Sequence, residues 1–90
     1  MAKTDHTTTT TDASKALRPL IREIMRAAPE RKFSSAALLM QIKLIIPDAT
    51  AEAAAAALLW NQAKGHVDYE HDGERELDLW HLTTRGKFEI

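Results

Sequence analysis

Residues 67–82 read Val-Asp-Tyr-Glu-His-Asp-Gly-Glu-Arg-Glu-Leu-Asp-Leu-Trp-His-Leu. Acidic side chains fall on every second position, at Asp68, Glu70, Asp72, Glu74, Glu76 and Asp78. A period of two is that of a β-strand, whose alternate side chains share a face. Asp72-Gly73 is a turn pair, so the stretch is expected to fold as a hairpin of strands Val67–His71 and Glu76–Leu82. A three-residue loop would set Val67 against Leu79, Tyr69 against Leu77, Asp68 against Asp78 and Glu70 against Glu76. That register is preferred because it gives one apolar and one acidic face. Like charges opposed across paired strands cost up to ~1 kcal/mol per pair, so an acidic face invites a functional reason. A solvated face that keeps a sheet edge from pairing is the plainer reading of the same acids.

Upstream of the hairpin the apolar period changes to that of helices. Leu17, Leu20, Ile21, Ile24, Met25 and Ala28 recur at spacings of three and four, one stripe of a first helix. Pro19 favours a start near Lys15, and Pro29 ends the helix at about Ala28. Ser34 is placed to cap a second helix, with Phe33 and Leu38 as a hydrophobic staple around it. Pro47 stops that helix, and Asp48 or Thr50 caps a third that runs to about Lys64, with Gly65 as terminator. Thr83 to Gly86 are expected as a turn, after which Phe88 and Ile90 would close the core. The Thr-rich lead, residues 1–13, has no apolar periodicity and is expected to be a disordered tail before a single domain over residues 14–90.

Ninety residues make one small domain, able to bury only about 60–65% of its unfolded surface. The chain has no cysteine, which excludes a disulfide scaffold, a thiol nucleophile and a thiolate metal site. No apolar run approaches the roughly 20 residues needed to span a bilayer, and no signal-peptide core is present, so a cytoplasmic protein is expected. Net charge is −1 but unevenly placed. Residues 1–43 hold eight Lys/Arg against four Asp/Glu, and residues 44–90 hold four against nine. Attraction between unlike halves of two copies makes a homodimer a possible assembly.

Lys64-Gly65-His66-Val67 and Trp80-His81-Leu82-Thr83-Thr84-Arg85-Gly86 carry a resemblance to the winged helix-turn-helix superfamily of small bacterial and phage regulators. The second stretch is similar to the aromatic-x-Leu-Thr-x-x-Gly signature that ends the second wing strand, and the likeness covers residues 14–88. It implies an α+β fold of three helices followed by a β-hairpin wing, double-stranded DNA as partner, and a non-enzymatic transcriptional regulator. It also implies nucleic-acid contacts from Lys32, Ser34, Ser35, Thr50, Asn61, Gln62, Lys64 and Arg75. The chain departs from the pattern in three places. Through Trp60 the third helix offers only Thr50, Glu52 and methyl groups to base edges. The wing has Arg75 as its lone cation. Asn61 stands where a large apolar residue is usual.

These departures support an alternative from another class, a protein-binding winged helix. Its acidic wing, formed by Asp68, Glu70, Asp72, Glu74, Glu76 and Asp78 with Trp60 as a further anchor, would imitate a nucleic acid and dock on a basic groove of a partner protein. Arg18, Arg22 and Arg26, spaced by four, form a basic stripe with Lys15 on the first helix; it is either a solvated face or a phosphate contact. His66, His71 and His81 do not converge in the preferred register, so no metal site is expected. No cofactor is expected either, because the chain has no glycine-rich phosphate loop. With no nucleophile elbow and no pocket-forming second layer, catalysis is not expected.

Overall fold

The computed structural model describes residues 2–88, with side chains from Ala13 onward. In chain order the elements are α1 (Ala2–Arg26), β1 (Phe33–Ser34), α2 (Ser35–Ile45), α3 (Ala51–Ala63), β2 (Val67–Asp72), β3 (Leu77–Leu82) and α4 (Thr84–Phe88). The strands form one antiparallel sheet in the order β1-β3-β2. The fold is α+β, four helices and a three-stranded sheet.

The apolar stripe of α1 is buried as its spacing requires, with Leu17, Ile21 and Met25 all inaccessible. Leu38 and Ile42 of α2 and Leu58 of α3 meet it in the same core. α3 packs on α1 through Ala53 and Ala57, both fully covered. A methyl group there keeps the two helix axes close, which a longer side chain would prevent. Val67, Trp80 and Leu82 close the core from the sheet side.

The caps fall where short polar side chains predict them. The Ser34 hydroxyl accepts from the Ala37 amide at 3.1 Å, and the Thr50 hydroxyl accepts from the Ala53 amide at 3.1 Å. At the exit of α3, Gly65 takes a φ of +81° while the His66 amide donates to the Asn61 carbonyl at 2.9 Å. A left-handed glycine with that reach-back bond ends a helix and aims the chain into β2.

Four expectations are corrected. First, α1 does not begin near Lys15 but runs from Ala2, through the segment read as a disordered lead. Once the packed part exists, each added residue gains a backbone bond without a new nucleation cost. Pro19 therefore lies inside the helix, and its missing amide leaves the Lys15 carbonyl without its usual donor. Lys15 and Pro19 are both exposed, so water can serve that oxygen. Second, Phe33-Ser34 is more than a connector, pairing with Trp80 and Leu79 of β3. Third, residues 84–88 form a short helix rather than a turn, and Phe88 is 80% exposed instead of closing the core. Ile90 lies outside the described residues.

The fourth correction is the hairpin register. Val67 pairs with Leu82, Tyr69 with Trp80, Glu70 with Leu79 and His71 with Asp78. The turn takes four residues, 73–76, because Glu76 adopts a left-handed φ of +53° and leaves the strand. The Asp72 carboxylate supports it by accepting the Glu74 and Arg75 amides at 3.0 and 3.3 Å. This shift changes the parity of the faces. Asp68, Glu70 and Asp72 share one face with His81, Leu79 and Leu77, whereas Asp78 shares the other with His71. No carboxylate of β2 faces a carboxylate of β3.

Candidate nucleic-acid interface

The N-terminal ends of α2 and α3 lie side by side, with a cleft of about 280 Å³ between them lined by Ser35, Ala36, Leu39, Ala51, Ala54, Ala55 and Leu58. Ser34 and Thr50 use an oxygen lone pair each for capping, which leaves both hydroxyl protons for an outside acceptor. Ser35 is exposed, and its hydroxyl accepts from the Trp80 indole at 3.2 Å. Ser35 lines the cleft, and Ser34 and Thr50 cap the two helices that border it.

The remaining expected contact residues, Asn61 apart, lie at the surface with partners inside the molecule. Lys32 forms an ion pair with Glu70, joining the β1 approach to the outer face of β2. Gln62 donates to the Asp68 carboxylate at 3.3 Å, and Arg75 lies 3.6 Å from Asp72. The Lys64 ammonium sits 5.4 Å from the centre of the Trp60 ring. Asn61 is corrected outright: it has no exposed surface and cannot reach a base. Its amide donates to the Arg18 and Ala57 carbonyls at 3.1 and 3.0 Å, and its oxygen accepts from Arg22 at 2.8 Å. A polar residue with no access to water needs such partners.

The outward surface of α3 is made by Glu52, Ala55, Ala56 and Leu59, and Leu59 is 59% exposed. Met40 and Leu44 on the outer side of α2 are 71% and 79% exposed. No Arg, Lys, Asn or Gln projects from the middle of α3, so base discrimination there has little to work with.

The single acidic face expected of the wing does not form. Asp68 receives Gln62 and the Tyr69 amide, Glu70 receives Lys32, Asp72 receives the turn amides and Arg75, and Asp78 lies 3.1 Å from His71. Glu74 and Glu76 project from the exposed turn. The Glu70 carboxyl is held below the usual carboxylate range, first by the hydrogen bond from Lys32 and then by its charge. A lowered folded value means that this contact stabilises above the ordinary carboxylate range and is lost as pH falls through the Glu70 folded value. Replacing Lys32 by Gln should return the Glu70 titration upward, read by carboxyl NMR; an unmoved midpoint would show that the pair does not persist in solution.

One grouping was only half visible in the sequence. Arg18, Arg22 and Arg26 were evident as a stripe, but Trp60 and Lys64 join it from α3. The Arg18 guanidinium lies 4.5 Å from the Trp60 ring centre. Burial and the neighbouring Arg26 charge lower the affinity of the Arg22 guanidinium for its proton. Among the described residues no group of three His, Asp or Glu side chains could hold a metal ion, and no helix is long and apolar enough to cross a membrane.

Neither a family model nor a curated protein matches the chain. Among solved structures it is similar to a double mutant of Lactococcus lactis ZitR in its apo form, with a TM-score of 0.62 and 17% identity. The match covers 96% of this chain and 62% of ZitR, so the chain spans less than two thirds of that protein's length. At this identity the likeness speaks for the fold alone, an α+β arrangement of helices and a three-stranded antiparallel sheet.

Proposed function

We propose that this chain is a small, non-enzymatic winged-helix regulator that binds double-stranded DNA. The observation that carries the reading is the open cleft between α2 and α3, lined by Ser35, with Ser34 and Thr50 capping the two helices that border it. Helix N-termini and short hydroxyl side chains suit phosphate oxygens. Lys32, Gln62 and Arg75 would reach the backbone by exchanging their internal partners for phosphate. Asn61 has no part in it.

The smooth outer surface of α3 implies that affinity comes mostly from the backbone and little from base edges. Fluorescence anisotropy with mixed-sequence and defined duplexes tests this. The expected result is low-salt binding that weakens steeply with salt, with the logarithmic slope near −0.9 per phosphate contact, and differs little between sequences. Absence of binding to any duplex at low salt would overturn the proposal.

A further inference from the structure

We infer that the cationic surface formed by Arg18 and Arg22 of α1 with Lys64 at the end of α3, grouped around Trp60, is a nucleic-acid backbone site separate from the α2–α3 cleft. The inference rests on the DNA-binding reading and adds a second contact surface to it.

Position comes first. Trp60 follows Leu59 in the chain, so it lies roughly 100° further round α3, turned from the outward surface toward α1. There the Arg18 guanidinium stands 4.5 Å and the Lys64 ammonium 5.4 Å from its ring centre, and the His66 ring lies tilted by 42° at 6.2 Å. Arg22, one turn along α1, is anchored by Asn61 at 2.8 Å. Residues four apart on a helix rise about 6 Å, so Arg18 and Arg22 present two forks in a row along the axis.

Charge balance comes second. Among the described residues, no carboxylate lies within ion-pair distance of Arg18, Arg22 or Lys64. The wing shows the opposite habit, since Asp68, Glu70, Asp72 and Asp78 are each engaged within the fold. Glu23 acts on Arg22 only without an ion pair and is outweighed there by burial and Arg26, and the Nε atoms of both Arg18 and Arg22 are buried with no acceptor. Asn61, the one buried polar side chain of α3, is committed to fixing Arg22 and the Arg18 backbone. The fold thus holds cations together that it does not neutralise.

The chemistry of the missing anion comes third. Guanidinium forks match phosphate oxygens two at a time, and the Trp60 ring holds the Arg18 guanidinium and the Lys64 ammonium close to one another. The acidic wing of a second copy fits less well, because Glu74 and Glu76 are the acids it has left to offer.

The test is a salt series with a labelled mixed-sequence duplex, using wild type, Arg18→Gln, Lys64→Gln and the double variant, each first checked for an unchanged melting temperature. Each single change should flatten the logarithmic salt slope by about one and the pair by about two, equally for every sequence. Arg18→Lys, which keeps the charge, should retain the slope. Should Arg18→Gln not fold, Lys64→Gln alone decides, since Lys64 is exposed. Wild type that binds with a slope unchanged in the double variant would overturn this inference and leave the DNA reading standing. Wild type that fails to bind would remove the DNA reading first, and this inference with it. Light scattering at low salt supplies the last outcome: assembly between copies that the double variant abolishes, with DNA slopes intact, would assign the surface to a second copy and overturn the inference.

Discussion

Gly86→Ala should lower stability by about 3 kcal/mol, the upper end of what overpacking costs, and melting should fall by roughly 15 °C for a domain of this size. A methyl group built on Gly86 would lie 1.9 Å from the His66 carbonyl oxygen and 2.8 Å from its carbon. Those are backbone atoms and cannot rotate aside. The same oxygen accepts the Thr83 amide at 3.1 Å, while the Thr83 hydroxyl accepts the Gly86 amide at 3.0 Å. Separating α4 from the start of β2 would therefore break the clasp that returns the chain from the wing to the helices. Gly73→Ala is the control, because nothing lies within 4 Å of the added carbon. Thermal unfolding followed by circular dichroism reads both. An alanine at 86 that melts within a degree or two of wild type would refute the account.

The second large effect is expected at Asn61. Asn61→Ala removes two donated bonds and one accepted from a guanidinium, the bond to Ala57 fully buried and the other two partly so. Unsatisfied buried partners cost about 1–3 kcal/mol, more for charged ones, so a loss of about 3 kcal/mol is expected. Asn61→Leu separates the causes. It keeps the volume but not the polarity, and should lose nearly as much, because the Arg22 guanidinium is stranded either way. Urea unfolding measures both. An Asn61→Ala protein with the urea midpoint of wild type would refute this account.

These two residues mark what could be read in the sequence. The Leu-Thr-Thr-Arg-Gly stretch was legible as a signature, and the structure supplies its reason, a glycine pressed on the His66 carbonyl. The helix boundaries set by Ser34, Thr50 and Gly65 were legible because each depends on one residue's own chemistry. The hairpin register was not. It turns on whether Glu76 takes a left-handed φ, and local sequence does not decide that for a glutamate. With the register went the acidic face, since one register choice distributes every strand carboxylate. Asn61 was misplaced for a related reason: burial of a polar side chain depends on Arg18 and Arg22, some 40 positions away in the chain. Of the candidate contacts, the positions of Ser34, Ser35 and Thr50 followed from the fold, whereas the internal partners of Lys32, Gln62 and Arg75 depend on the register.

The alanine run of α3 looks uniform in the sequence, yet its members divide into two kinds. Ala53, Ala54 and Ala57 are buried in the core. Glu52, Ala55, Ala56 and Leu59 face open solvent, where exchanges typically change stability by no more than about 0.5 kcal/mol. A base-reading code could therefore be written onto those outer positions while the hidden ones keep the helix seated. The scaffold is rewritable in the very place where it is at present blank.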